Sequence, residues 1–134
     1  MNIADRAALY CEIFRVLRSG GRFAMFDVVV SANKALLYPV PWARESDSSH
    51  PITVEETREL LANGGFEITS WSDRTEASLA WFAEREKSRA INLSNPAFGL
   101  QCLMGPDFPH MVETLVKNLR DGRAAIVQAI AQKP

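Results

Sequence analysis

Two acidic residues stand where strands of an open α/β sheet would end. Asp27 lies near the end of the apolar run RFAMFDVVV, and Asp73 lies at the end of the run FEITSWSD. The carboxyl ends of such strands face the ligand crevice, where a carboxylate can bind a substrate. The alternatives are structural, since Asp27 could accept hydrogen bonds from loop backbone and Asp73 could begin the cap of the next helix. The sequence leaves both interpretations open.

The segment that follows the first of these strands carries residues that could bind a small molecule. Within LLYPVPWARESDSSHP, Pro39 and Pro41 stiffen the backbone, while Tyr38 and Trp42 combine an apolar ring with a polar tip. Residues 31–52 leave the strand at its carboxyl end, so they could fold over the crevice as a lid. The alternative is a loop whose Trp42 only covers core.

A glycine pair beside a strand raises the question of a cofactor loop. Loops that bind phosphate or a dinucleotide follow a strand and precede a helix. Gly20-Gly21, Gly64-Gly65 and Gly122 have the opposite order, after a helix and before a strand. Glycine at that point typically provides the left-handed backbone that ends a helix. The glycines are therefore predicted to end helices, and no dinucleotide, P-loop, zinc or triad motif occurs elsewhere.

Three units of helix, glycine and strand position these residues. Asn2 is the expected N-cap of the first helix, and Thr53 with Glu56 forms a capping box at the second. The predicted elements are a helix over 3–18, a strand over 22–30, a helix over 53–62, a strand over 66–73, a helix over 76–90, a helix ending at Gly122 and a strand over 124–131. Residues 31–52 and 92–106 are predicted to be irregular, which is uncommon at that length without a function.

Composition excludes several classes of partner. The chain has 134 residues, 47% of them hydrophobic and 23% charged, with a net charge of −1, which fits one globular domain and indicates neither a nucleic-acid nor a membrane partner. Its charged first residues are not a secretory signal. Cys11 and Cys102 are far apart and are expected to be buried, reduced thiols in a cytoplasmic protein. No metal site is predicted.

Several stretches of the sequence resemble a known family. MNIADRAALYCEIFRVLRSGGRFAMFDVV resembles the helix and fifth strand of class I S-adenosylmethionine-dependent methyltransferases, in which R-V-L-K/R-P-G-G precedes a strand that ends near an acidic residue. Ser19 replaces the usual proline. The similarity continues through YPVPWA, LLANGGFEITSWSDRT and LVKNLRDGRAAIVQAIAQK, and is strongest toward the small-molecule branch that includes sarcosine/dimethylglycine methyltransferases.

The resemblance implies a fold and a set of site residues. The expected fold is α/β, a partial Rossmann-like methyltransferase fold over 1–134 that corresponds to the C-terminal half of a catalytic domain. Its three-stranded mixed sheet would place the C-terminal strand centrally and antiparallel, with about four flanking helices. S-adenosylmethionine is the implied cofactor. Asn2 would approach the cofactor, and the predicted substrate-binding residues are Asp27, Tyr38, Pro41 and Trp42.

The same resemblance leaves two functions open. The family binds its cofactor mainly through a glycine-rich loop after the first strand, and this chain has no such loop. The chain is therefore either a methyltransferase-like protein that acts on a small molecule without a complete cofactor site, or a non-catalytic binding and oligomerisation module. Strand 22–30 would present an open hydrophobic edge, which predicts a homodimer or higher oligomer.

Overall fold

Three strands and five helices make up most of the part of the chain that the structure describes, residues 1–91 and 100–134 of a computed structural model. In chain order the helices are α1 (Arg6–Val16), α2 (Val54–Asn63), α3 (Thr75–Ile91), α4 (Leu100–Met104) and α5 (Phe108–Arg120), and the strands are β1 (Arg22–Val30), β2 (Glu67–Asp73) and β3 (Ala124–Gln132). One turn of 3-10 helix, Ser46–Ser48, interrupts the segment between β1 and α2. Among the described residues, none of the helices has the length and apolar character needed to cross a membrane.

The sheet has the order β1-β3-β2, so the C-terminal strand is central, as predicted. Its pairings with both neighbours are antiparallel. β1 pairs along its whole length, from Arg22 opposite Gln132 to Val30 opposite Ala124, without interruption. β2 pairs from Glu67 to Asp73 and contains an irregularity between Ile68 and Ser70. β1 and β2 therefore run parallel to each other with β3 between them.

Helices cover both faces of this sheet. Because side chains alternate along a strand, β1 and β3 each contribute to two separate cores. The core on the α1 and α2 side consists of Tyr10, Met25, Val29, Leu61, Phe66, Val127, Ala129 and Ala131. The core on the α5 side consists of Val28, Leu115, Leu119, Ala124 and Ile126, with Leu79 and Phe82 of α3 packed against it.

The start of the first helix differs from the prediction. Asp5 is the N-cap of α1, where its side chain accepts a 2.8 Å hydrogen bond from the backbone N–H of Ala8, so the assignment of Asn2 as the cap is wrong. The helix buries Arg6 and Tyr10 and exposes Cys11. Burial of Cys11 and Cys102 is also wrong, since both side chains are exposed.

The second helix begins and ends as predicted. Thr53 accepts from the backbone of Glu56, and the Glu56 carboxylate accepts from the backbone of Thr53 at 2.8 Å, which completes the capping box. Gly65, just beyond the helix, has φ +91°. A Cβ there would lie 3.0 Å from the ring of Phe14, so this position needs glycine both for its backbone and for the approach of α1.

The second predicted irregular segment is only partly described. Residues 92–99 lie outside the described part of the chain. Residues 100–104, predicted to be irregular, form the one-turn helix α4. Five residues are few for an independent helix, so its packing against α5 accounts for its formation better than its propensity does.

Candidate functional site

Residues 31–52 are fixed to helix α5 by a buried amide. Asn118 is fully buried, and its side-chain oxygen accepts from the Leu37 N–H at 2.9 Å while its nitrogen donates to the Leu37 carbonyl at 2.9 Å. A primary amide that satisfies both backbone groups of one residue imitates a strand pairing. The middle of the segment is thus held in one position against the helix.

Charged side chains fix the same segment on either side of Leu37. Lys34 donates to the Asp121 carbonyl at 2.6 Å, and Arg123 donates to the Ala35 carbonyl at 2.7 Å. Further along, Arg44 forms an exposed 2.6 Å ion pair with Asp107, just before α5. The segment follows the carboxyl end of β1, and these contacts attach it to α5 as a wall; its role as a lid stays a prediction.

A tight turn in this wall presents two of the four predicted substrate-binding residues, Pro41 and Trp42. Val40 and Ala43 exchange two backbone hydrogen bonds of 2.8 and 3.0 Å, with Pro41 and Trp42 between them. Val40 and Ala43 are buried, so the turn is fixed from below. The indole N–H of Trp42 donates to the Ser49 hydroxyl at 3.0 Å, which orients the ring.

The turn forms one side of a cavity of about 410 Å³. α4 and α5 form the other side. The lining residues are Val40, Pro41, Trp42, Ala43, Arg44, Ser48, Leu103, Met104 and Met111. Apolar and flexible thioether side chains predominate, with Arg44 as the cation, and the volume falls within the range of small-molecule sites, roughly 300–1,000 Å³. We refer to this space as the Trp42 pocket.

Asn2 is bound to the same wall. Its side-chain nitrogen donates to the Trp42 carbonyl at 2.6 Å and to the Ser48 carbonyl at 3.2 Å. The Met1 carbonyl accepts from the backbone of His50 at 2.7 Å. These bonds occupy both donors of the amide of Asn2. They tie the first residues of the chain to the Trp42 turn, and the expected contact with a cofactor stays a prediction.

Asp27 forms a buried ion pair instead of lining the pocket. Its carboxylate accepts from Arg6 at 2.8 Å and from the Val28 N–H at 2.9 Å. Arg6 is 5% exposed and Asp27 is 16% exposed. Next to them, burial raises the pKa of the Tyr10 hydroxyl. Asp27 thus attaches β1 to α1 through a side-chain partner, and not through the loop backbone that the structural alternative named; its role in substrate binding stays a prediction.

The remaining predicted residues also lie apart from the pocket. Tyr38 is half-buried, precedes Pro39 through a cis peptide bond and does not line the pocket. Asp73 accepts from the backbone of Thr75 at 2.7 Å at the start of α3, as the structural alternative proposed. Asp73 also borders a second cavity of about 490 Å³, which lies at the carboxyl end of β2. The described part of the chain contains no cluster of side chains suited to a metal ion.

Sequence reasoning missed the residues that position the pocket. Asn118 lies on the buried face of α5, four residues from Thr114 and seven from Met111, both of which are buried. An amide at a core position of an amphipathic helix is the signal that could have revealed it, because a buried amide needs partners. Met111 carries no signal beyond its helical apolar spacing with Leu115 and Leu119, and nothing in the local sequence pairs Arg44 with Asp107.

Comparisons with known proteins identify the fold. No protein-family model matches the chain, and no curated protein matches it. Among solved structures, geranyl diphosphate C-methyltransferase from Streptomyces coelicolor A3(2) matches with a TM-score of 0.68 and 17% identity, over 100% of this chain and 44% of that one. A protein from Galdieria sulphuraria assigned as a sarcosine dimethylglycine methyltransferase matches with a TM-score of 0.67 and 15% identity, over 99% of this chain and 49% of that one. Phosphoethanolamine N-methyltransferase 2 from Haemonchus contortus matches with a TM-score of 0.73 and 14% identity, over 98% of this chain and 30% of that one.

These similarities define the fold class. The chain has an α/β fold that matches part of the Rossmann-like domain of class I S-adenosylmethionine-dependent methyltransferases, as the sequence resemblance implied. It spans about half the length, or less, of the structures it matches. The [4+2]-cyclase SpnF also matches, with a TM-score of 0.57 and 22% identity. The fold therefore does not by itself determine the reaction.

Proposed function

We propose that the chain is methyltransferase-like, acts on a small molecule and uses S-adenosylmethionine as the methyl donor, with a donor site that this chain does not complete alone. The observation that carries the proposal is the Trp42 pocket, built on a fold shared with methyltransferases that were solved with donor, donor product or small substrates. Methyl transfer needs positioning and exclusion of water more than acid-base groups. A pocket without a catalytic cluster is compatible with it.

The Trp42 pocket would bind the methyl acceptor. Trp42 and Met111 offer apolar surface, and the Asn2 and Ser49 hydrogen bonds hold the Trp42 turn in place. Arg44 at the rim could bind an anionic group by exchanging its exposed partner Asp107. The compounds named with the similar structures, geranyl diphosphate and phosphomonomethylethanolamine, both carry phosphate.

The donor fits this chain less well. A glycine-rich loop between a strand and a helix is what the fold class uses for such a ligand. The glycines with positive φ that precede strands here, Gly20, Gly65 and Gly122, follow helices. This observation favours a second candidate, a methyltransferase-derived binding module without catalysis.

Titration calorimetry with S-adenosylmethionine and S-adenosylhomocysteine decides between the two candidates. A dissociation constant near the micromolar range supports methyl transfer. Weaker binding, up to the millimolar range, is what an incomplete donor site predicts, whereas no heat at all at millimolar ligand would show that this chain contributes no donor site and would support the binding module.

The acceptor pocket is tested separately by NMR on the three indole N–H signals. Added geranyl diphosphate should shift the signal of Trp42, while Trp71 on β2 and the exposed Trp81 on α3 serve as internal controls. Trp42→Ala should abolish the response of neighbouring amides, and Trp81→Ala should preserve it. Equal shifts at all three indoles would contradict a specific pocket.

A further inference from the structure

The sheet has two edge strands within the described chain, and only one of them is protected. β2 is interrupted between Ile68 and Ser70, and its other exposed residues are polar or charged: Glu67, Thr69, Ser72 and Asp73. A break in the pairing and polar side chains are the usual defences of an edge. β1 is regular over nine residues and exposes 64% of Phe26.

The backbone of β1 is open along its first half. The Gly21 carbonyl accepts from Lys133 and the Ser31 N–H donates to Arg123, so odd-numbered residues bond to β3. By antiparallel alternation, the N–H and C=O groups of the even-numbered residues point away from β3. Val30 confirms this, because its N–H donates outward to Ile52 at 3.0 Å. That bond satisfies an outward group at the carboxyl end of β1, whereas no backbone group of the described chain bonds to the outward groups of residues 22–26.

We propose that residues 22–26 pair with the same residues of a second copy, antiparallel and centred on Ala24. Outward-pointing backbone groups occur at Arg22, Ala24 and Phe26, so a twofold axis at Ala24 places each of them opposite an outward-pointing group of the other copy. The result is a continuous sheet of six strands. This dimer goes beyond the proposed function and does not depend on methyl transfer.

Side chains make the segment complementary to itself. Even-numbered residues share one face of the sheet, and in this register Arg22 of each copy lies opposite Phe26 of the other. Both side chains are exposed in the single chain. A guanidinium opposite an aromatic ring forms a cation–π pair, which occurs twice in the symmetric dimer. The small Ala24 at the axis lets the two strands approach.

Sedimentation analysis of the full chain tests the dimer. At tens of micromolar the expected mass is twice the 14.9 kDa of one chain. Phe26→Ala removes both cation–π pairs and should weaken the dimer roughly 30-fold. Ala24→Pro should give a monomer, because it removes an outward N–H that β3 does not use. Trp81→Ala, which removes an exposed aromatic from α3, should leave the dissociation constant unchanged.

Cross-linking tests the register without relying on stability. In a Cys11→Ser/Cys102→Ser background, Ala24→Cys should form a covalent dimer with a short bifunctional maleimide. Ser70→Cys, exposed on the β2 edge, is the matched control and should not. A monomer at tens of micromolar, an unchanged dimer in folded Ala24→Pro, or equal cross-linking at residue 70 would overturn the proposal.

Discussion

β1 and β2 flank the same central strand, yet different interactions hold them in place. β1 is attached to its helix by the buried Arg6–Asp27 pair, whereas β2 is attached to α2 by Arg58 at the surface, 4.5 Å above the ring of Trp71. β1 pairs regularly and exposes an aromatic residue, whereas β2 is interrupted and polar. The strand with the stronger internal anchor is also the one with the less protected edge.

Removing each anchor should give the largest difference between the two strands. Arg6→Met removes the closest charged partner of the Asp27 carboxylate, which keeps only the Val28 N–H and the Met1 ammonium at 3.8 Å, and should lower the free energy of unfolding by about 3 kcal/mol. Arg58→Met removes only an exposed cation–π contact, worth about 0.5–1 kcal/mol. Urea unfolding followed by circular dichroism measures both.

A double variant separates the ion pair from general packing. Arg6→Met/Asp27→Leu replaces both charges by apolar side chains, which often recovers most of the loss from a single change. Equal destabilisation in the single and double variants would show that the packing of Arg6, and not the charge of Asp27, holds β1.

Alanine substitutions of the glycines that precede the two strands should differ in destabilisation by a smaller amount. Gly20 before β1 has φ +74° and open space around its Cα, so Gly20→Ala should cost roughly 1–2 kcal/mol from the backbone alone. Gly65→Ala adds a methyl group 3.0 Å from the Phe14 ring, which should raise the cost to roughly 2–4 kcal/mol. Thermal unfolding of both variants checks the order. Trimming the ring in a Gly65→Ala/Phe14→Leu background should reduce the difference.

The smallest effect concerns the cap of the helix that leads into β2. Hydrogen bonding from the Thr53 backbone lowers the pKa of Glu56 below its ordinary 4.5. A carboxyl whose pKa is lower in the folded chain stabilises it above the ordinary pKa, and this contribution disappears as the pH falls below that value. The carboxylate is exposed, so the contribution is about a few tenths of a kcal/mol.

Glu56→Gln tests this contribution because glutamine keeps the shape of the cap. The stability difference between wild type and variant should shrink as the pH is lowered from 7 to 3. A difference that is constant over this range would contradict the role of the charge.

The sequence predicted those features of the fold that local patterns determine. The bounds of β1, the capping box at Thr53 and the central position of β3 are confirmed. The start of α1 was wrong because its buried face includes Arg6, a charged residue that reaches a core position only through Asp27, 21 residues away. A helical pattern based on apolar residues cannot contain that information.

The site was predictable only in its most local part. Pro41 and Trp42 line the pocket, and their segment stood out by composition. Asp27 and Tyr38 do not line it, and Asn118 was missed because its partner is 81 residues away. Which polar residues meet in the fold depends on how α5 packs, and neither spacing nor residue type determines that packing.

The double hydrogen bond of Asn118 makes the Trp42 wall and α5 one cooperative unit. If α5 unfolds locally at Asn118, the N–H and C=O of Leu37 lose their hydrogen bonds. If the wall detaches, the buried amide of Asn118 has no hydrogen-bond partner. Amide protons of the wall that depend on this contact should therefore exchange with solvent at rates set by the opening of α5. The shape of the Trp42 pocket then depends on the stability of α5, although Met111 is the only residue of α5 that lines the pocket.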